Sequence, residues 1–298
     1  KMKPACTDAR QGMGTDGGRW HPGFNETVTT AGRRSSAEPN LQNIPVRTEF
    51  GRQIRECFVP LEKGHKFLSA DYSQIGLRLL AHLSNDEHLV AAFCSGADFH
   101  AATASRVFGL PVEGVTPGRR SRAKAVNFGI VYGQQAFGRS QSLGIPFGEA
   151  KEMIERYFEA YPGVRAYLDR TIAEAKEKGY AETMFGRKRH IPELKAANAT
   201  QRGFGERTAL NHPMQGSAAD IIKLAMTEVQ RRIMERGFEA KLLLQVHDEL
   251  DFSVPEGEIE ELSAIVKDVM EHIVDLRVPP DVDVSFADNL AEAHRGYV

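Results

Sequence analysis

The chain has 298 residues, 41% hydrophobic and 26% charged, enough to bury one large core or two interleaved subdomains, and no apolar run approaches the ~18 residues of a membrane-spanning helix. Its three cysteines, Cys6, Cys57 and Cys94, are odd in number and form no CxxC pair, which argues against a disulfide framework or zinc site and for a reducing cytoplasm. The net charge of −2 conceals a polarity: residues 100–210 carry 18 basic and 11 acidic side chains (+7), and residues 248–298 carry 3 basic and 14 acidic (−11). A polyanion is drawn to the first segment and repelled by most of the second, although a solvated basic helix face would give the same sum for the first.

The chain starts at Lys1 without a basic-then-apolar leader, so it reads as a fragment with no secretory signal. Residues 1–60, including GMGTDGG and SSAEPNLQNIP, are rich in Gly, Pro, Asn and Arg and predict long ordered loops with short strands. KFLSAD (66–71) is strand-like, and QIGLRLLAHL (74–83) follows at helical spacing, which puts Asp71 at a strand end. Residues 86–178 predict successive helices broken at 109–118, 144–146 and 162–163. YAETMFGRKRHI (180–191) predicts a hairpin around Gly186. Residues 213–237 predict a long helix with Pro213 in its first turn and Gly237 at its end. KLLLQV and ELDFSV flank His247 and Asp248 as a β-hairpin, and an amphipathic helix at about 256–275 and a last strand near 281–286 follow.

Two groups of side chains carry chemistry. Asp71 and Asp248, one at a strand end and one at a hairpin turn, suit in-line phosphoryl transfer, where hard divalent cations are held by one or two carboxylates together with phosphates and water. By spacing alone, Asp71 serves equally well as a cap for the helix near Gln74, and Asp248 as a turn residue. Arg120, Lys124, Phe128 and Tyr132 recur every four residues, so on a helix they drift about 40° per step and form a stripe about 18 Å long. Two cations suit a triphosphate, and two rings suit a sugar and base; a helix with one wet and one buried end reads the same way.

DYSQIGLRLLAHLS (71–84), RSRAKAVNFGIVYG (120–133) and LQVHDEL (244–250), in that order, resemble motifs A, B and C of family A DNA polymerases, the bacterial DNA polymerase I type. The similarity continues through GRRSSAEPNLQNIPVRT, FGRKRHIP and HPMQGSAAD and covers nearly the whole chain. The resemblance implies an α+β right-hand fold: an antiparallel palm sheet from residues 1–75 and 236–298, helical fingers at 76–235, and no thumb, which would precede Lys1. It implies a DNA-directed DNA polymerase that transfers nucleotides from dNTPs to a primer 3′-hydroxyl on primer–template DNA. Two Mg²⁺ ions would serve, with Mn²⁺ as a substitute, and the protein would be a monomer in the cytoplasm of a bacterial or phage-infected cell, away from membranes.

Carried over residue by residue, Asp71, Asp248 and the backbone carbonyl of Tyr72 become metal ligands, Glu249 an auxiliary carboxylate, and Lys124 a group that neutralises charge or donates a proton. Arg120, Lys124, Phe128 and Tyr132 match the nucleotide-binding helix, and Phe128 matches the position that senses the sugar 3′ site. His100 falls near the nucleotide phosphates, Tyr72 beneath the nascent pair, and Gln74 and Gly76 complete the nucleotide site. Arg33, Asn43, Gln215 and His247 match primer–template contacts; apart from these matches, the basic cluster Arg187, Lys188 and Arg189 suits phosphate contacts, although basic clusters on hairpins are common. Departures stand beside these matches. Gly76 replaces a Glu that excludes the ribose 2′-hydroxyl, which predicts relaxed sugar discrimination. Leu290 and Asp288 stand for Trp and Gly, Arg34 for Leu, and Asp251 for an apolar residue. A catalytically weak or silent primer–template-binding fragment is the alternative function. A single-subunit RNA polymerase shares the paired aspartates, but DYSQI and HDE resemble the DNA enzymes.

Overall fold

The computed structural model describes residues 20–45, 48–60, 62–96, 98–131, 133 and 136–294. In chain order come β1 (Gly23–Asn25), β2 (Ser35–Ala37), α1 (Glu49–Glu56), β3 (His65–Tyr72), α2 (Ile75–Ser84), α3 (Glu87–Cys94) and α4 (Phe99–Phe108). Next are α5 (Pro117–Val131), α6 (Ala136–Leu143), α7 (Phe147–Ala160), α8 (Pro162–Lys178), β4 (Tyr180–Glu182), β5 (Lys188–His190) and the long α9 (Ala199–Arg236). Last come β6 (Lys241–Val246), β7 (Glu249–Pro255), α10 (Ile259–His272), β8 (Val282–Ala287) and α11 (Leu290–Ala293). These elements fall into two compact units. One holds the residues up to Ser73, Ala219–Val274 and those from Pro280 onward; the other holds Gln74–Ala218 and Asp275–Pro279. The chain is thus a mixed α+β protein with an antiparallel sheet, as expected.

The first unit is built on a four-stranded antiparallel sheet in the order β6-β7-β3-β8. Period-two alternation puts Leu68, Ala70 and Tyr72 of β3 with Leu250 and Phe252 of β7 on one face, where Leu68, Ala70, Leu250 and Phe252 are fully buried. Helix α10 packs against β3 and β8 with Leu262, Val266 and Met270, and each such buried side chain contributes about 1.5–3 kcal/mol. The opposite face carries Phe67, Ser69 and Asp71 beside Ser253, Asp251 and Glu249. It is covered by α11, whose Leu290 and Ala293 cluster with Phe67, Phe58 and Ile44. Strand β7 is therefore buried on both faces, even though every second residue is polar.

The second unit is helical. Its core gathers Leu77 and Leu80 of α2, Val126 and Ile130 of α5, Tyr157, Tyr161, Leu210, Met214 and Val278. A satellite cluster of Ala175, Ala181, Ile191, Leu194 and Ala209 sits around the β4–β5 hairpin, which turns at Gly186 with φ of 80°.

Two expectations are corrected. Helix α1 lies in the stretch read as loops and short strands. Thr48 caps it, its hydroxyl accepting from Gly51 N at 3.0 Å, and Gly51, which weakens the helical signal, is required by packing. A Cβ there would sit 2.8 Å from Pro45 Cβ and carbonyl oxygen. Pro213 does not start a helix; it lies inside α9. Proline removes one i→i−4 bond and costs ~3 kcal/mol or more, and tertiary packing offsets it. Pro213 and Met214 are buried, His212 Nε2 donates to Arg187 O at 3.1 Å, and Ser217 Oγ accepts from Met184 N at 3.0 Å.

Candidate active site

Strand pairing assembles the acidic end of the sheet. Asp71 lies opposite Glu249 on β7 and Asp283 on β8, and the Tyr72 amide donates to Asp248 O at 3.2 Å. The β6–β7 turn places His247 in the left-handed region, with φ of 54°, which brings Asp248 to the same sheet end as Asp71. Burial, then the neighbouring Asp248, pushes the Asp71 carboxyl up to about 7. Asp248 is also raised by burial, against the lowering charges of Arg33 and His247. Its side chain is 27% exposed, yet Oδ1 is buried without a hydrogen-bond partner, and Arg33 Nη2 is 3.7 Å away. Two crowded carboxylates with an orphaned oxygen and one cation at a distance fit a divalent metal ion, whose charge would relieve both.

Glu249 is turned into a second cluster. Its Oε1 accepts from Ser69 Oγ at 3.0 Å and meets His294 Nε2 at 2.5 Å. Asp251 contacts Ser69 and lies 3.4 Å from His294 Nε2, while Arg55 meets His294 Nδ1. Burial, then Asp251, raises Glu249 to about 8. Burial works against charge on His294, but Asp251 and Glu249 outweigh it and lift the ring to about 9. Glu249, Asp251 and His294 bring ligand atoms within 4.8 Å of one another, a spacing a metal could bridge. Ser69 and His294 each contact both carboxylates, and Arg55 reaches them by hydrogen bond only through His294. Sequence reasoning missed Arg55, Ser69 and His294; the only signal was the anomalous Asp251.

Tyr72 corrects an expectation. Its side chain is 4% exposed on the apolar face and its hydroxyl donates to Met270 O at 2.6 Å, so the ring is a packing group rather than a platform beneath a base pair. Its backbone follows Asp71 as the last residue of β3. Near Asp248, Gln42 donates to Gln245 O at 2.9 Å and Gln245 to His247 O at 2.6 Å, tying the turn that bears exposed Asn43 to the hairpin. His247 is lowered by burial and then by Arg33. Three of the departures have partners here: Arg34 pairs with Glu26 at 2.5 Å over the Phe24 ring, Asp288 pairs with Lys66 at 2.5 Å, and Leu290 is in the core.

In the second unit the stripe on α5 forms as expected up to Phe128; Tyr132 lies outside the described residues. Arg120 and Lys124 are exposed, and Arg120 pairs with Asp98 at 2.6 Å. Phe128 is half-buried, its ring 5.7 Å from that of His100. His100 is 3% exposed and is held down to about 4 by burial and then by Arg120. Gln74 precedes α2 with φ of 56° and a buried, unpartnered Oε1, and Gly76 follows in the first turn. Gln215 is half-buried on α9. On the hairpin, Lys188 lies over the Tyr180 ring at 4.8 Å, next to Arg189.

A family model described as DNA polymerase family A matches residues 1–292, and the chain belongs to that family. It is 51% identical over 279 residues to DNA polymerase I of Lactococcus lactis subsp. lactis (strain IL1403), covering 93% of this chain and 32% of that protein. It is 50% identical over 276 residues to DNA polymerase I of Geobacillus stearothermophilus, with 93% and 32% covered. Among solved structures, the POL domain of Pol1 from M. smegmatis, in complex with DNA primer-template and dNTP, superposes with a TM-score of 0.93 at 45% identity, covering 99% of this chain and 52% of that one. The chain spans about a third of the length of the curated relatives it matches.

Proposed function

We propose that this chain performs template-directed DNA synthesis, joining dNTPs to a primer 3′-hydroxyl at the Asp71–Asp248 end of the sheet. The observation that carries the reading is the crowding of these two carboxylates: burial raises both, Asp248 adds to the rise at Asp71, and one Asp248 oxygen is buried without a hydrogen-bond partner. Asp71, Asp248 and the Tyr72 carbonyl would hold two Mg²⁺ ions, with Mn²⁺ as a substitute. Ions held there would supply Lewis-acid activation for the primer 3′-hydroxyl and positive charge for the pyrophosphate leaving group.

The chain's own residues do the rest. Arg120 and Lys124, exposed one turn apart, orient the triphosphate, and Lys124 Nζ neutralises or protonates the leaving oxygen. Phe128 supports the sugar, with Gln74 and Gly76 alongside. Arg33, Asn43, Gln215, His247 and Arg189 contact primer–template backbone and bases, with affinity that falls steeply with salt. A monomer in a bacterial or phage-infected cytoplasm belongs to the same reading. The test is primer extension by the purified chain with Mg²⁺. Extension should be lost in Asp71→Ala and Asp248→Ala while primer–template binding persists. Duplex binding with no extension by the parent chain would instead favour the silent-fragment reading.

A further inference from the structure

Helices α4 and α5 share a buried polar chain that the proposed chemistry leaves unused. Asn127, fully buried on α5, donates from Nδ2 to His100 Nδ1 at 3.0 Å and to Thr103 Oγ1 at 3.3 Å. Thr103 Oγ1 donates to Phe99 O at 3.0 Å and lies 3.2 Å from the Tyr161 hydroxyl. A hydroxyl has one proton and two lone pairs. With the proton committed to Phe99 O, Thr103 can only accept, so the Tyr161 hydroxyl donates to it and the Asn127 amide must turn its NH₂ toward it. The same NH₂ then reaches His100, whose Nδ1 is left without a proton.

We infer that Asn127 is a positioning residue that fixes His100 in the tautomer carrying its proton on Nε2, giving the phosphate-binding face an uncharged donor beside Arg120 and Lys124. Asn127 Oδ1 is the cost of this arrangement: it is buried with no hydrogen-bond partner. An unpartnered buried carbonyl is a net loss that a leucine of similar size would avoid, so packing alone does not account for an asparagine here. Burial, then the charges of Arg120 and, after the opposing Asp98, Lys124, keeps the ring neutral, in accord with an accepting Nδ1. The rings of Phe99 at 5.5 Å and Phe128 at 5.7 Å flank it, so the tautomer is held in a fixed plane. The ligand class is the phosphate chain of a nucleoside triphosphate, and the inference rests on α5 being the nucleotide helix.

The tautomer is read directly by long-range ¹H–¹⁵N NMR on histidine-labelled chain at pH 7, without DNA or nucleotide, His100 being assigned by subtraction with His100→Gln. A neutral ring protonated on Nε2 in the parent, shifting towards Nδ1–H or a mixture in Asn127→Leu, is expected. A parent ring that is protonated on Nδ1 or doubly protonated overturns the inference. A double-mutant cycle adds a second readout. Asn127→Leu should raise the KM for dNTP about tenfold with a smaller change in kcat, yet add less than twofold in a His100→Gln background. Additive effects would show that Asn127 does not act through His100. A chain that fails to extend primers would count against the polymerase reading, and the NMR result would still decide this one.

Discussion

Asp86 and Gly163 meet at 2.7 Å, the glycine amide donating to Asp86 Oδ2 across 77 residues of sequence. The same oxygen accepts from Val164 N at 3.3 Å, and Oδ1 accepts from Leu89 N at 2.9 Å. One carboxylate thereby caps the first turns of both α3 and α8, and Tyr161, at the N-cap of α8, makes no side-chain capping bond of its own. A Cβ at 163 would lie 2.9 Å from Asp86 Oδ2 and 3.0 Å from its Cα. Asp86→Ala and Gly163→Ala should each lower stability by about 1–3 kcal/mol in urea unfolding, and the double variant should lose less than the sum. Full additivity would mean that the two residues are not coupled through this cap.

Asp71 predicts a pH dependence. Its carboxyl is raised to about 7, by burial first and Asp248 second, so between the ordinary carboxylate value and about 7 the folded chain holds a proton that the unfolded chain has released. Stability therefore falls as pH rises through that window. In chelator, Asp71→Asn should flatten this slope and be more stable than the parent at pH 8 by on the order of 1–3 kcal/mol. Added Mg²⁺ should restore the parent and leave the variant unchanged. Thermal unfolding at pH 5 and pH 8 measures both effects, and equal slopes in parent and variant would remove Asp71 as their source.

Arg55 supplies the permanent positive charge facing Glu249 and Asp251, and it also donates to Ile44 O at 3.3 Å. It is 8% exposed. Replacing it with methionine keeps much of the volume but leaves two buried carboxylates with only a titratable partner, for an expected loss of about 3–5 kcal/mol. Adding Asp251→Val should recover part of that loss. If denaturant unfolding shows no recovery, packing rather than charge accounts for the effect of Arg55.

The sequence made the strand–turn frame legible because its signals are local. KFLSAD and ELDFSV alternate with period two, and the turn between KLLLQV and ELDFSV could hold no other carboxylate than Asp248. What was hidden depended on distant partners. Gly51 looks like a helix breaker until Pro45 is placed against it, and Pro213 looks like a helix start until the β4–β5 hairpin is docked on either side of it. Tyr72, next to the catalytic candidate, reads as a site residue, but strand alternation sends its ring to the opposite face, onto Met270. The Glu249 cluster draws on Arg55 and His294, which no spacing rule connects.

Gly76 gives the last prediction. It lies in the first turn of α2, and an added Cβ would meet only Val131 Cγ1, at 3.4 Å, an ordinary contact. Its φ is not in the left-handed region. Neither backbone conformation nor close packing therefore demands glycine, although glycine in a helix costs roughly 1 kcal/mol relative to good helix formers. On the proposed polymerase reading, no side chain at 76 would stand against a ribose 2′-hydroxyl, and a site with mere room for a hydroxyl discriminates weakly. Gly76→Glu should fold, since its Cβ is accommodated, and should gain tenfold or more selectivity for dNTP over the ribonucleotide in single-turnover incorporation, about 1.4 kcal/mol. Equal sugar preference in parent and variant would show that position 76 is not the gate in this chain.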